Sequence, residues 1–392
     1  MKRKKGCSGM NRREFLKAGL VGTTSALIGG NALAETAKYV ASSEPFVFPA
    51  PSYRTLGRTG LKITVVSCGA MLTPEPEVLE IAFDHGINYA DTARKYMDGK
   101  NEEIVGKALK GRRDKVYVAT KTLPTSKSKQ DIIRDVETSL KALETDYIDL
   151  IQLHNLTDKE RIFIPETRDA LLMLREQGKV RFFGVTTHKN QPEVLDALVA
   201  DKERFFDTVL VAYNFESSPA IGEAIERAAK AGLGVIAMKT QAGGYKTQQL
   251  DPISPHQAAL KWVLKNPNVT MAIPGMKNLS HLKENIAVMG MPLERADIRI
   301  LQRYHAAVRP YYCDFCGTCE GACPKGVDIS TINRSLMYAE GYRNLELAQS
   351  TYREIPQRAN AAACLECPVC VATCLRGLNI AEQMERARNA LA

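Results

Sequence analysis

Between Tyr53 and about Gly290 the chain repeats one two-part pattern eight times: a short apolar run, then an amphipathic stretch with helical spacing. The runs are residues 64–70, 87–91, 116–121, 148–154, 182–187, 208–213, 233–239 and 270–274. Helical patterns such as 77–85, 102–110, 129–143, 166–178, 191–200, 218–231 and 256–266 lie between them. Such repetition builds a parallel sheet, because each helix carries the chain back to start the next strand in the same direction. Eight units close into a (β/α)₈ TIM barrel more readily than they spread as an open sheet. No Gly-x-Gly-x-x-Gly opens the first unit, which argues against a doubly wound dinucleotide fold. Tyr53–Thr55 and Leu61–Ile63, joined by Gly57-Arg58-Thr59-Gly60, read as a hairpin before the first strand. The expected division is a leader over 1–34, a linker over 35–52, the α/β barrel over 53–292 and a small, mainly helical module over 293–392.

In a barrel, chemistry belongs to polar residues at the carboxyl ends of the strands. Four stand there: Asp91 ending the second strand, Tyr96 in the loop after it, Lys121 ending the third and His154 ending the fourth. One histidine after an apolar run is usually structural, but four titratable groups at successive strand ends form a pattern. A phenol with an ordinary pKa near 10 needs help to act as an acid at neutral pH. A nearby ammonium lowers that pKa, and a carboxylate can orient the lysine. A neutral imidazole can hydrogen-bond a substrate carbonyl. Together they suit protonation of a carbonyl oxygen while hydride reaches its carbon.

The stretches Asp91-Thr92-Ala93…Tyr96…Gly99…Asn101-Glu102…Val105-Gly106, Val118-Ala119-Thr120-Lys121, Asp149-Leu150-Ile151-Gln152-Leu153-His154, Gly184-Val185-Thr186 and Ile273-Pro274-Gly275…Glu284-Asn285 resemble the aldo-keto reductase family over roughly residues 53–290. The resemblance implies a catalytic tetrad in which Tyr96 is the general acid, Lys121 and Asp91 tune it, and His154 orients a small carbonyl or alcohol substrate. It also implies NAD(P)H. The family's Ser-Asn pair on the carboxamide is replaced by Thr186-Thr187, its carboxamide Gln aligns with Leu210, and its stacking aromatic aligns with Met238, beside Lys239. In the phosphate-binding stretch the usual Lys and Arg align with Gly275 and His281. Lys277 is placed to compensate, and the adenine-contacting pair Glu284-Asn285 is kept. Loss of fixed cations weakens recognition of a 2′-phosphate.

The cysteines are concentrated. Of ten, eight fall in Cys313–Cys323 and Cys364–Cys374; Cys7 lies in the leader and Cys68 in an apolar strand. Cys313-x₂-Cys316-x₂-Cys319-x₃-Cys323-Pro324 is the run of bacterial-type ferredoxins, and Cys364, Cys367, Cys370 and Cys374 repeat its spacing with Leu375 in place of the proline. Three close thiolates wrap one cubane, and the fourth of each run ligates the other cluster. The expected sets for two [4Fe-4S] clusters are therefore Cys313, Cys316, Cys319 with Cys374, and Cys364, Cys367, Cys370 with Cys323. Gly317 and Gly321 permit the tight backbone. Zinc sites usually pair two Cys-x-x-Cys units across a longer gap, and disulfides within such tight runs are geometrically awkward. The spacer, 324–363, has helical patterns at Ser330–Glu340 and Asn344–Ile355, and 294–308 reads as a bridging helix.

The leader resembles a twin-arginine export signal. Asn11-Arg12-Arg13-Glu14-Phe15-Leu16-Lys17 precedes a mildly apolar stretch from Ala18 to Leu33, and Ala32-Leu33-Ala34 offers a cleavage site. The stretch is short and weakly apolar for a membrane span; the alternative is an uncleaved amphipathic anchor. Folded export suits a cofactor inserted in the cytoplasm. Of the formal charge of +9 (53 basic against 44 acidic residues), residues 1–34 supply +6, from seven Lys/Arg against Glu14. The remainder gives no nucleic-acid surface. The expectation is an exported, periplasmic or extracytoplasmic iron–sulfur oxidoreductase, with the Tat machinery and a membrane or soluble redox partner. The alternatives are an electron-transfer protein whose barrel only docks a partner, and an enzyme with structural clusters. Nicotinamide moves two electrons and a cubane one, so the link between them is not written in the sequence.

Overall fold

The structure, a computed structural model, describes residues 46–245 and 254–391; the leader reading and most of the linker lie outside them. Phe48 onward forms one compact unit. Strands β1 (Tyr53–Thr55) and β2 (Lys62–Thr64) make the expected antiparallel hairpin, with Arg54 opposite Ile63. Then come β3 (Cys68–Gly69), α1 (Pro76–Asp84), β4 (Tyr89–Asp91), α2 (Lys100–Leu109), β5 (Tyr117–Lys121), α3 (Lys129–Leu143), β6 (Ile148–Leu153) and α4 (Pro165–Glu176). They are followed by β7 (Val180–Thr187), α5 (Gln191–Ala200), β8 (Thr208–Ala212), α6 (Pro219–Lys230), β9 (Gly234–Met238), α7 (Pro255–Lys265), β10 (Met271–Ala272) and α8 (Leu279–Ile286). Strands β3 to β10 pair in parallel in chain order, and bridges Val66 to Ala272 and Gly69 to Gly275 bring the last strand back to the first. The eight-stranded sheet thus curls into the expected (β/α)₈ barrel.

Local chemistry explains the starts of the helices. Proline opens α1, α4, α6 and α7, where its missing N–H costs nothing. Ser128, Ser254 and Asn278 cap α3, α7 and α8 with side-chain oxygens. One apolar layer fills the space between strands and helices. A second fills the barrel interior, where Leu56, Leu61 and Ile63 of the hairpin meet Tyr89, Leu150, Leu210 and Ile236. The hairpin plugs the amino end of the barrel: a side-chain carbon on Gly234, at the start of β9, would meet Leu56 Cδ1 at 2.6 Å.

After the barrel come α9 (Arg295–Val308), α10 (Thr318–Gly321), α11 (Ile329–Glu340), α12 (Leu345–Tyr352) and α13 (Ile380–Leu391). Helix α9 is the bridging helix: Ile300 and Leu301 pack on Ala258 and Ala259 of α7, and Lys261 Nζ lies 3.2 Å from both Asp297 oxygens. The sequence suggested an appended module, yet the module's core takes in Ala242 and Tyr245 from the loop after β9. Tyr312 and Tyr304 reach across to the barrel, Tyr312 OH accepting from Asn214 Nδ2 at 2.7 Å and Tyr304 OH donating to Gln241 O at 2.9 Å. The module therefore sits on the carboxyl-end loops of the barrel, the face on which the site is built. Among the described residues no helix is long and apolar enough to cross a membrane.

Candidate active site

Asp91 and Lys121 end neighbouring strands β4 and β5, and both are buried, at 2% and 1% exposure. Lys121 Nζ pairs with Asp91 Oδ1 and donates to Thr92 O at 2.7 Å; Gln152 Nε2 holds the other Asp91 oxygen at 2.9 Å. Burial pushes the Asp91 carboxyl up, opposed by Lys121 and Gln152, and pushes the Lys121 ammonium down, opposed by Asp91. The Lys121 nitrogen stands 4.7 Å from the centre of the Tyr96 ring, and that ring meets the His154 ring edge-on at 5.9 Å between centres. The four residues expected to act together do converge.

The backbone after β4, β6 and β9 is turned sharply. Met97 and Asp98, directly after Tyr96, have φ of 50° and 53°, and Gly99 has 92°. Asn155 after His154 and Lys239 after Met238 are also left-handed, at 53° and 57°. Non-glycine residues adopt this conformation at a cost of about 1–2 kcal/mol each, and such strain gathers at functional sites. Here it aims side chains into one cavity of about 780 Å³.

Contrary to the expected lowering by Lys121, burial holds Tyr96 well above the ordinary phenol value, with Asp91 and Tyr338 adding to the rise and Arg334 opposing it. Burial, then Lys121, Lys95 and Arg334, hold His154 far below the ordinary imidazole value, so it is neutral at pH 7. Its Nδ1 is buried with no partner among the described residues. A protonated phenol beside a neutral imidazole is the pairing that protonates and orients a carbonyl oxygen.

The cavity runs from Asp91, Tyr96 and His154 past Leu210, Met238 and Lys239 to Lys277, His281, Glu284 and Asn285. At the far end Asn285 Oδ1 accepts from Gln241 Nε2 at 2.8 Å, Glu284 accepts from Ser254 Oγ, and Lys277 donates to the Tyr342 carbonyl. Thr186 and Thr187, expected at the carboxamide, are fully buried and do not line the cavity. Their hydroxyls are used in the loops: Thr186 Oγ1 accepts from Asn155 N at 2.7 Å and Thr187 donates to Lys189 O at 2.8 Å. The next residue, His188, faces the cavity instead. Sequence reasoning also missed Asn155, although it follows His154. It missed Arg334, Tyr338 and Tyr342 as well, and these belong to the module.

With this geometry in view, the aldo/keto reductase family model matches residues 75–252 and 246–305. The chain belongs to the aldo/keto reductase family. It is similar to an uncharacterized oxidoreductase, YrpG of Bacillus subtilis, at 29% identity, covering 64% of this chain and 94% of that protein. It is similar to the methylglyoxal reductase YeaE of Escherichia coli at 30% identity, covering 59% of this chain and 85% of that one. Among solved structures, an aldo-keto reductase from Klebsiella pneumoniae in complex with NADPH is 28% identical with a TM-score of 0.56, covering 65% of this chain and 95% of that one. The chain is an oxidoreductase of this family. The family match ends at residue 305, before both cysteine runs.

The eight cysteines of the runs, and Cys68, form no disulfide. Burial raises the thiols of Cys313, Cys319 and Cys364, and neighbouring thiols add to it. Those neighbours are Cys319 and Cys316 for Cys313, Cys316 and Cys374 for Cys319, and Cys323, Cys370 and Cys367 for Cys364. Cys374 thus acts on a thiol of the first run and Cys323 on a thiol of the second. Among the described residues no group of three or more His, Cys, Asp or Glu side chains stands close enough to hold a metal ion. The amides of Phe315 and Arg376 donate to the sulfurs of Cys313 and Cys374 at 3.3 and 3.4 Å. Gly317 has φ 77°, as its role in the turn requires; Gly321 closes the ordinary helical turn α10, and Phe315 takes the second left-handed position at 60°.

Proposed function

We propose that this oxidoreductase reduces, or in reverse oxidises, a small carbonyl or alcohol substrate in the cavity above Tyr96. The carrying observation is the meeting of Asp91, Tyr96, Lys121 and His154 at the head of a cavity that continues to Glu284 and Asn285. The residues fit a nicotinamide dinucleotide. Met238 and Leu210 give an apolar wall beside the tetrad; Lys277, His281 and Asn285 give a cation and donors at the distant end. The NADPH complex of the Klebsiella relative supports this reading. When bound, the dinucleotide supplies or accepts hydride. The chain's own residues do the rest: His154 donates a hydrogen bond to the carbonyl oxygen, Tyr96 delivers the proton from its hydroxyl, and Asp91 keeps Lys121 charged beneath the ring.

The reading extends to two [4Fe-4S] clusters. What supports it is the ferredoxin-type spacing of the two runs, together with the influence of Cys374 on Cys319 and of Cys323 on Cys364. Leu365, Val369, Val371 and Leu375 stand exposed around the second run, which suits a soluble or membrane redox partner. Export by the twin-arginine route rests on the leader sequence alone; N-terminal sequencing of exported protein beginning after Ala34 is the expected result.

The test is Tyr96→Phe in anaerobically purified protein. Carbonyl-dependent NADPH oxidation should fall by about 100- to 10,000-fold. About eight iron and eight sulfide per chain, and the visible cluster absorbance, should stay as in the wild type. Unaltered turnover in the variant would remove Tyr96 from the chemistry. Loss of turnover and iron together would remove the two-site view.

A further inference from the structure

The module's helix α11 presents Arg334 and Tyr338, four residues apart and so on one face, to the cavity. Arg334 is 7% exposed. Its Nη1 donates to Asn155 Oδ1 at a long 3.3 Å, and its Nε is buried with no partner. Lys239, 9% exposed, donates to Tyr338 OH at 2.8 Å and stands 4.4 and 5.1 Å from the ring centres of Tyr338 and Tyr342. Among the described residues neither cation has a carboxylate partner, whereas Lys95 nearby is paired with Glu354 and Lys121 with Asp91. Burying a guanidinium without a counter-charge is costly, and a ligand anion removes that cost.

We propose that Arg334, assisted by Lys239, is the receptor for a substrate carboxylate, so that the enzyme acts on small oxo-carboxylates, or the matching hydroxy-carboxylates, held with the carbonyl at Tyr96 and His154. The proposal rests on the carbonyl chemistry above and adds the substrate class. The charge of Arg334 is felt at Tyr96, His154 and His188, which puts the guanidinium beside the tetrad end of the cavity. A carboxylate gripped there by the planar fork leaves a neighbouring carbonyl a few bonds away, at the phenol. In reduction, hydride forms the new C–H bond, the C=O π pair goes to oxygen, and the Tyr96 proton forms the O–H. The carboxylate is unchanged. A phosphate of the dinucleotide is the other anion that could meet Arg334; Lys277 at the opposite end, which donates to the Tyr342 carbonyl, is better placed for it.

The experiment uses the holoprotein and compares pyruvate with methylglyoxal, which replaces the carboxylate by an aldehyde, and follows oxamate and NADPH binding by calorimetry and fluorescence. Arg334→Gln should lower kcat/KM for pyruvate by roughly 100-fold, mainly through KM, and abolish oxamate binding. Methylglyoxal turnover, which feels Arg334 only through its charge on Tyr96 and His154, should fall at least about tenfold less than pyruvate turnover, and NADPH affinity should change less than about threefold. Arg334→Lys should recover part of the pyruvate activity, since charge is kept and the fork lost, and its melting temperature guards against a folding defect. Wild-type enzyme that reduces methylglyoxal but neither binds oxamate nor reduces 2-oxo acids overturns the anion site and leaves the carbonyl reading intact. Arg334-dependent oxamate binding without turnover of any carbonyl does the reverse. Equal loss of NADPH affinity in Arg334→Gln assigns the guanidinium to a dinucleotide phosphate and overturns the proposal.

Discussion

Asp91→Asn should destabilise the fold as well as stop the chemistry, and its cost can be worked from the pair it breaks. Both partners are almost fully buried, and once the carboxylate charge is gone Lys121 keeps the Thr92 carbonyl, the neutral amide oxygen at position 91 and the face of Tyr96, none of them a counter-charge. Removing one member of a buried ion pair costs about 3–5 kcal/mol, and the retained hydrogen bond puts this case near the lower figure. For a chain this size, with m of about 3 kcal/mol/M in urea, the midpoint should fall by about 1 M. The pH dependence follows from the direction of the Lys121 shift. Its ammonium is already pushed below the ordinary lysine value by burial, against the pull of Asp91. The folded state therefore binds fewer protons than the unfolded state between the lowered value and the ordinary one, so stability rises with pH through that window. Without Asp91 the folded-state value drops further and the window widens downward. The deficit of Asp91→Asn should accordingly shrink between about pH 7 and about pH 9.5. Asp91→Asn with Lys121→Met removes both charges and should lie within roughly 1.5 kcal/mol of the wild type while remaining inactive. Urea unfolding followed by circular dichroism at both pH values checks this. A double variant as unstable as the sum of the single variants, or a deficit that grows with pH, would refute the reasoning.

Two further outcomes follow from the module. On the proposal of two [4Fe-4S] clusters, Cys374→Ala should reduce iron from about eight to about four per chain and perturb the cluster of Cys313, Cys316 and Cys319 rather than that of its own run, as selective Cys→Ala spectra would show. Gly341→Ala places a carbon 2.2 Å from the Gly243 carbonyl oxygen, in the seam between α11 and the loop after β9; a loss of about 1–3 kcal/mol is expected in unfolding measurements.

The barrel was legible because its signal is repeated. Each strand is a buried apolar run and each helix is amphipathic, so errors of a residue or two at the ends, as for 182–187 against Val180–Thr187, leave the topology unchanged. The tetrad was legible because Asp91, Tyr96, Lys121 and His154 stand at strand ends, where the barrel itself fixes their convergence. Thr186 and Thr187 misled because alignment gives a position along a strand and not the use of a hydroxyl, which the Asn155 turn and Lys189 claim here. Arg334 was invisible for a different reason. On α11 it looks like one more charge on an ordinary helix, and only the docking of that helix on the barrel turns it inward. The same docking explains why the expected separate module shares its core with Ala242 and Tyr245.

That docking links the first cysteine run to the cavity through a short mechanical path. Glu320, between Cys319 and Cys323, accepts from Ser330 N at 2.8 Å in the first turn of α11 and pairs with Lys189 of the barrel. Asp328 caps the same turn, accepting from Thr331 N at 3.2 Å. Arg334 stands one turn further along, so the first cysteine run holds the end of the helix that aims the guanidinium. On the proposal that this run holds a cluster, removing iron would free the run, loosen the first turn of α11 and let Arg334 leave the cavity. Chelated protein should therefore lose affinity for oxamate and show a raised KM for pyruvate by roughly tenfold, the scale of one charge-assisted hydrogen bond. Its turnover of methylglyoxal at saturation should be nearly intact, because Asp91, Lys121 and His154 are held by the barrel alone. Reconstitution with iron and sulfide should restore the carboxylate affinity. If chelation instead abolishes saturating turnover of methylglyoxal and leaves oxamate binding unchanged, the clusters act on the chemistry by moving electrons and not by holding the helix.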